Sequence, residues 1–219
     1  MKNTLKRIAS FVWDIPIEKG SSEHNPYLEV VWSNGKKMLN TKDANFSFGN
    51  GYLVFNEAFK HINENLPSAQ NVLILGFGCG SILHLLEKKH QYNGKVTGVE
   101  YDSVILELFH KHFAQRYTTK PNLITADALD FVAHYQDSYD IIFIDLFNEL
   151  ENVEFIFNHN FVDNLKGITS EKGVLVFNTI KQTTRDQENI SELIMSLSNH
   201  FKDVSSHPFQ NLNHIIIAK

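Results

Sequence analysis

The segment from Val72 to Ser81, with the sequence VLILGFGCGS, constrains the fold of this chain more than any other. Apolar residues typical of a buried strand run directly into three glycines at alternate positions, and a segment with helical spacing follows. A second strand-like run, Lys95–Val99, ends at an acidic residue, Glu100. In a parallel α/β sheet, such glycines let the backbone approach a nucleoside, and such an acid binds the ribose hydroxyls. The alternative is a sharp strand-to-helix turn that requires small residues and binds nothing.

Alternating strands and helices follow from Asn71 onward, which predicts a three-layer α/β domain. The predicted strands are Val72–Leu75, Lys95–Val99, Asn122–Thr125, Tyr139–Asp145 and Gly173–Asn178, and a final antiparallel hairpin is predicted from Phe201–His207 and Asn213–Ala218. The predicted helices are Ser81–His90, Asp102–Tyr117, Ala128–Tyr135, Glu154–Ile168 and Thr184–His200.

The first third of the chain has a different pattern. Strand-like residues on both sides of Asn34-Gly35 predict a β-hairpin, because a type I′ turn needs positive φ at both central positions. Residues 45–51 are rich in turn formers, and Tyr52–Asn65 has helical spacing. We therefore predict two units: a small β element plus helix over residues 1–66, and a nucleoside-binding domain over residues 67–219.

The composition excludes several classes of function. The 219 residues are 42% hydrophobic and 21% charged, which is typical of a globular chain. The net charge of −5 argues against broad nucleic-acid binding, which needs a basic surface. The single cysteine excludes an internal disulfide, and the histidines lack helical metal-ligand spacing, so no metal is predicted. Neither a signal peptide nor a bilayer-spanning window is evident. We expect a cytoplasmic protein that acts on a small molecule, with no nucleic-acid or membrane partner.

The spacing of the glycines indicates which nucleoside is held. A dinucleotide site has the pattern G-x-G-x-x-G, but here the third glycine, Gly80, comes one residue early. S-adenosylmethionine has no phosphate and needs close backbone approach more than an anion site. Asp127, after the third strand, is placed to accept from the adenine amino group while the Ala128 N–H meets a ring nitrogen. The alternative is that Asp127 only caps the next helix. Asp145 ends the fourth strand, where a carboxylate receives a proton, holds a substrate cation or caps the loop.

These residues resemble the class I methyltransferase fold, and more narrowly its spermidine-synthase-like branch. Val72–Ser81, Gly98–Asp102, Ala126–Phe131 and Tyr139–Asp145 carry the resemblance, which covers about residues 71–178 and extends back to Phe55-Asn56-Glu57. It implies a Rossmann-like sheet of seven strands with the last strand antiparallel, a small N-terminal β-hairpin element, and a homodimer in many members.

Two departures from aminopropyltransferases guide the prediction of function. Those enzymes have an Asp where this chain has Cys79, and a second Asp in the stretch that here reads Asp145-Leu146-Phe147-Asn148-Glu149. Losing carboxylates that pair with an ammonium group is costly. The expectation is therefore a methyltransferase that uses S-adenosylmethionine on an unidentified small molecule, and polyamine synthesis is disfavoured, although Asp145, Glu57 and Glu149 remain as cation ligands. An aminopropyltransferase with altered acids and a non-catalytic nucleoside-binding scaffold remain as alternatives.

The predicted site follows from these assignments. We predict Asp145 as the catalytic residue. The predicted cofactor-binding residues are Gly76, Phe77, Gly78, Gly80, Glu100, Tyr101, Asp127, Ala128 and Asp145.

Overall fold

The structure is a computed structural model, and the residues that it describes are 2–42, 50–148, 151–210 and 212–219. The strands are β1 Ile15–Gly20, β2 Leu28–Ser33, β3 Lys36–Thr41, β4 Asn71–Leu75, β5 Lys95–Glu100, β6 Asn122–Thr125, β7 Tyr139–Ile144, β8 Phe147–Asn148, β9 Glu151–Asn152, β10 Thr169–Ile180, β11 Val204–Phe209 and β12 Asn213–Ala218. The helices are α1 Lys2–Ala9, α2 Asn50–Ile62, α3 Ser81–His84, α4 Ser103–His112, α5 Ala128–His134, α6 His159–Gly167 and α7 Thr184–Ser198.

The central sheet has seven strands in the order β11-β12-β10-β7-β4-β5-β6. Strands β4, β5, β6, β7 and β10 run parallel, whereas β12 is antiparallel to both β10 and β11. This confirms the predicted Rossmann-like α/β fold with an antiparallel last strand and a C-terminal hairpin. The carboxyl ends of β4, β5, β6, β7 and β10 therefore meet at one edge of the sheet, where ligands of such folds bind.

The N-terminal element is a sheet of three strands, β1-β2-β3, one more than the hairpin that the sequence predicts. The turn between β2 and β3 has φ of 47° at Asn34 and 75° at Gly35, which confirms the type I′ turn. Helix α1 and strand β1 have no counterpart among the predicted elements. The predicted turn-rich stretch at 45–51 lies mostly outside the described residues.

Three predicted helices each contain a short 3₁₀ or π-helical turn before or after the α-helix. The predicted helix Ser81–His90 is α3 followed by a π-helical turn, Leu85–Lys89, and Asp102–Tyr117 is α4 followed by a 3₁₀ turn, Ala114–Arg116. The predicted helix Glu154–Ile168 is a 3₁₀ turn, Glu154–Phe157, followed by α6. 3₁₀ turns are frequent at helix ends and π-helical turns are rare, but apolar periodicity distinguishes neither from regular α-helix.

Two hydrophobic clusters pack on the two faces of the central sheet. Ile142 and Phe177 point to one face, where they meet helices α5, α6 and α7. Val72 and Ile74 point to the other face, where the cluster also contains Leu28 and Leu39 of the N-terminal sheet. One continuous core therefore extends across the boundary at residue 66.

Candidate functional site

The turn between β4 and α3 runs along the carboxyl edge of the sheet and depends on its glycines. Gly76, Gly78 and Gly80 have φ of 83°, 56° and 83°, values that residues with side chains rarely adopt. The Gly76 and Phe77 N–H groups both donate to the Val99 carbonyl at 3.0 Å. A Cβ atom at Gly76 would lie 2.2 Å from the Asp145 carbonyl oxygen. Position 76 therefore cannot carry a side chain, because the turn passes between the end of β5 and the end of β7.

Glu100, the last residue of β5, lies directly against this turn. Its Oε2 accepts from the Gly78 N–H at 2.8 Å, and its Oε1 accepts from the Asp102 N–H at 3.2 Å. The side chain is buried, and burial raises the pKa of Glu100 while these backbone donors oppose the rise. Because each carboxylate oxygen accepts two hydrogen bonds, acceptor capacity remains for ribose hydroxyls. The geometry of the glycines and Glu100 is compatible with a nucleoside site, and binding of a nucleoside there stays a prediction.

A loop from the N-terminal sheet is tied to the residues that follow Glu100. Asp102 accepts from the Asn25 side-chain amide at 2.7 Å and from the Ser22 hydroxyl, and it also caps α4 by accepting from the Val104 N–H. The Tyr101 ring, which is about half exposed, lies 4.1 Å from the ring of His24. The loop between β1 and β2 therefore flanks the predicted nucleoside site. No signal in the sequence indicated this contact, because it joins residues about eighty positions apart.

Asp127 and Ala128 lie at the end of β6, next to β5. The Ala126 N–H donates to the Glu100 carbonyl at 3.1 Å, which brings this strand end close to Glu100. Oδ1 of Asp127 accepts from the Leu129 N–H at 2.7 Å, so Asp127 caps α5. The capping role is therefore present. The contacts of Asp127 and Ala128 with adenine stay predictions.

Asp145 follows β7 and is held by two asparagines in series. The Asn178 amide donates to Asp145 Oδ1 at 3.0 Å, and the Asn213 amide donates to Asn178 Oδ1 at 2.9 Å. Removal from water raises the pKa of Asp145 to about 7, the nearby charge of Glu100 acts in the same direction, and the bond from Asn178 opposes both. A carboxyl group with such a pKa exchanges a proton near neutrality. Asn178 ends a predicted strand, but its bond to Asp145 is visible only in the structure.

Phe77 and Cys79 point away from this edge of the sheet. The Phe77 ring is buried against Phe109, with the ring centres 4.9 Å apart. Cys79 is also buried, with its Sγ 3.9 Å from the Ile105 carbonyl oxygen. Phe77 therefore has only its backbone at the turn, and Cys79 does not replace the acid that aminopropyltransferases carry at this position.

The other acids that the resemblance suggests as cation ligands do not join Asp145. Glu57 pairs with Lys60 at 2.7 Å on α2. Glu149 lies outside the described residues. Within the described ranges, the predicted acids at the carboxyl edge are thus Glu100, Asp127 and Asp145, each at the end of a different strand.

Comparison with known proteins identifies the branch of the fold. The sequence profile of the spermine/spermidine synthase domain matches residues 52–210. A polyamine aminopropyltransferase of Methanocaldococcus jannaschii is 26% identical over 155 residues, which cover 68% of this chain and 51% of that protein. The chain spans between 40% and 51% of the length of this relative and of two further polyamine aminopropyltransferases, from Lachnospira eligens and Nitrosococcus oceani.

Solved structures agree on the fold. A spermidine synthase in complex with the transition-state analogue AdoDATO has a TM-score of 0.66 and 18% identity, covering 93% of this chain and 73% of that one. Human methyltransferase-like protein 13 in complex with SAH has a TM-score of 0.59 and 18% identity, covering 78% of this chain and 80% of that one. At this identity, the two likenesses concern the fold and not the activity.

These comparisons correct the predicted function. The prediction of a methyltransferase is wrong, as is that of S-adenosylmethionine as its cofactor, because the matching family and the curated relatives are those of aminopropyl transfer. The inference against polyamine synthesis fails on the same finding. The physical reason is that the glycine turn, Glu100 and Asp127 are predicted to bind the adenosyl part of a donor. That part is common to both kinds of donor, so these residues do not determine which group is transferred.

Proposed function

The chain belongs to the spermine/spermidine synthase domain family, and from this membership we propose that it is an aminopropyltransferase. It transfers the aminopropyl group of decarboxylated S-adenosylmethionine to an amine. The observation that carries the proposal is the family match over residues 52–210, which includes the glycine turn and the ends of β4, β5, β6, β7 and β10.

The geometry of the carboxyl edge supports binding of the donor's nucleoside. The glycine turn allows close backbone approach, and Glu100 lies against that turn with hydrogen-bonding capacity for a ribose diol. When bound, decarboxylated S-adenosylmethionine supplies an electrophilic carbon next to a sulfonium centre. This ligand carries no phosphate. That agrees with the glycine turn, because the position of Gly80 does not match the G-x-G-x-x-G pattern of a dinucleotide site.

The position of Asp145 supports proton transfer in the proposed reaction. A neutral acceptor amine attacks the methylene carbon next to sulfur, so that a C–N bond forms while the C–S bond breaks. The electron pair of that bond stays on sulfur and leaves a neutral thioether. The new ammonium group then loses one proton to the Asp145 carboxylate, whose pKa of about 7 matches this task at neutral pH. Asn178 and Asn213 hold the carboxylate in position.

The test is a product assay with the purified full chain. Decarboxylated S-adenosylmethionine is incubated with short linear diamines, and mass spectrometry follows 5′-methylthioadenosine and the acceptor enlarged by one aminopropyl group. We expect both products in equal amounts. The D145N variant is expected to bind the donor but to turn over about 10²- to 10⁴-fold more slowly, because it cannot accept the proton.

Two matched variants separate binding from transfer. Glu100→Ala should abolish calorimetric binding of 5′-methylthioadenosine, whereas Glu107→Ala, which changes an exposed glutamate on α4, should leave binding and turnover unchanged. Binding without any transferred aminopropyl group would contradict the proposal and favour a non-catalytic nucleoside-binding protein. Equal turnover by D145N and the parent would remove Asp145 from the mechanism.

A further inference from the structure

The segment from Leu5 to Trp13 presents a row of large apolar side chains to solvent. Leu5, Ile8, Phe11, Val12 and Trp13 are between 63% and 75% exposed, and we call them the N-terminal apolar face. Of the eleven large hydrophobic residues that are exposed among the described residues, these five lie within nine consecutive positions. Large apolar side chains exposed together in one short segment are typical of an interaction site, whereas exposed apolar residues scattered singly are ordinary surface.

Helix α1 does not bury an apolar stripe against its own domain, because residues 4–8 are all exposed. Among residues 4–13, whose burial the structure describes, the buried one is Ser10, just after the helix; its Oγ accepts from the Gly35 N–H at 2.9 Å and its carbonyl accepts from the Asn34 N–H at 2.8 Å. A polar residue thus anchors the segment to the β2–β3 turn, while Leu5 and Ile8 face outward. An amphipathic helix normally buries its apolar stripe against the core. The tertiary structure therefore holds the N-terminal apolar face available to something outside this chain.

The charges around this face favour an anionic occupant. The first thirteen residues contain Lys2, Lys6 and Arg7 and no acid, although the whole chain carries −5; the first acid is Asp14. Lys6 and Arg7 are exposed. Burial lowers the pKa of Arg116. The positive charge of Arg7 lowers it as well, which indicates that the two guanidinium groups lie close together. Two copies of the chain meeting on this face would bring these cations together, whereas an anionic surface would pair with them.

We propose that α1 and the following residues to Trp13 bind the interface of an anionic phospholipid bilayer. The N-terminal apolar face enters the boundary between headgroups and acyl chains, and Lys6 and Arg7 pair with phosphate groups. Trp13 and Phe11 are aromatic residues of the kind that favour this boundary. A segment this short gives reversible, peripheral attachment. The inference is independent of the proposed transfer reaction.

This attachment does not require a spanning segment. Among the described residues, none of the helices has the length and apolar character needed to cross a bilayer. The absence of a spanning window in the sequence led to the expectation of no membrane partner, but such a window is not needed for attachment at the interface. An interfacial helix is instead distinguished by one apolar face flanked by basic residues, and whether that face is outward is decided by tertiary structure.

The test is cosedimentation of the full chain with vesicles. We expect binding to phosphatidylcholine vesicles in which about a third of the lipid is phosphatidylglycerol, little binding to phosphatidylcholine alone, and release by high salt. In a W32F background, Trp13 is the only tryptophan, and its emission should shift to the blue with the mixed vesicles alone.

Paired variants decide whether the N-terminal apolar face is responsible. The double variant I8S/V12S should lower the vesicle partition coefficient about tenfold or more. Met195→Ser removes an equally exposed apolar residue from α7 and should leave partitioning unchanged. Thermal unfolding of each variant confirms that the fold is retained.

Three outcomes would overturn the proposal. The first is absence of binding to either kind of vesicle. The second is equal binding by I8S/V12S and the parent. The third is concentration-dependent self-association in the absence of lipid that I8S/V12S abolishes, which would assign the N-terminal apolar face to a second copy of this chain.

Discussion

At the scale of single residues, Asp145 is the position where stability and the proposed function conflict. The fold removes the carboxyl group from water near Glu100, which raises its pKa to about 7. The proposed reaction needs Asp145 ionised, as a proton acceptor. The ionised carboxylate therefore lowers the free energy of unfolding near neutral pH. Asn178 reduces this cost through its hydrogen bond, and Asn213 in turn holds Asn178.

This conflict predicts a pH-dependent stabilisation by D145N. Between the ordinary pKa of 3.8 and the folded value of about 7, the folded chain binds a proton that the unfolded chain has released. The contribution of Asp145 to stability is therefore present at low pH and is lost as the pH rises through 7. D145N should be more stable than the parent at pH 8, by at most about 4 kcal/mol, and equal to it near pH 4.

Urea unfolding at both pH values measures this difference. Asp137→Asn, which changes an exposed aspartate before β7, is the matched control and should show no gain at either pH. A D145N variant that is less stable than the parent at pH 8 would contradict the assigned environment of Asp145.

At the scale of elements, the turn between β4 and α3 is the part of the site that the sequence describes best. Alternating glycines after a buried strand predict its position and a bare backbone, and the structure shows positive φ at Gly76, Gly78 and Gly80. The backbone that lies closest to this turn cannot be identified from the sequence. The Gly76 turn touches the backbone of Asp145 about seventy residues later, and only the parallel pairing of β4 and β7 brings these two strand ends together.

We expect Gly76→Ala to disrupt this turn. The new Cβ would meet the Asp145 carbonyl oxygen at 2.2 Å and would force a side chain onto a φ of 83°. Strain of this kind costs about 1–3 kcal/mol before the backbone collision is counted, so we expect a loss of at least about 2 kcal/mol together with loss of 5′-methylthioadenosine binding. Urea unfolding and calorimetry measure the two effects.

Gly167→Ala provides the comparison for this substitution. Gly167 lies at the end of α6, and a Cβ added there meets nothing within 4 Å. This variant should be neutral or stabilised by up to about 1 kcal/mol. Equal behaviour of the two variants would show that the close approach at Gly76 does not constrain the turn.

At the scale of the whole molecule, the N-terminal sheet and the main sheet share a hydrophobic core. Leu28, Val30 and Leu39 belong to the same buried cluster as Val72 and Ile74. Outside this core, Glu18 of β1 contacts His112 of α4 at 2.5 Å and Lys111 at 2.7 Å. The predicted division at residue 66 stays a prediction about sequence organisation, and the shared core argues that both parts unfold together.

The shared core predicts a single cooperative transition. In a W13F background, the fluorescence of Trp32 reports on β2, and far-UV circular dichroism reports mainly on the helices of the larger part. The two urea curves should have the same midpoint and slope. Separate midpoints would indicate that residues 1–66 form an independent unit.

The sequence by itself determined the layers, the glycine turn and the acids at three strand ends, and the resemblance implied seven strands with the last one antiparallel. These features are local, since periodicity, glycine conformation and strand termini are set by neighbouring residues. The prediction of the transferred group was wrong, because the residues on which it rested are those expected to bind the part of the donor that two reactions share.

Only the tertiary structure decided which side chains face the site and which face away. It turned Cys79 inward, joined Asp145 to Asn178 and Asn213, tied Asp102 to the β1–β2 loop, and set α1 with its apolar residues outward. Each of these depends on contacts between residues distant in the chain. The direction of a side chain relative to another element follows from packing and not from local pattern.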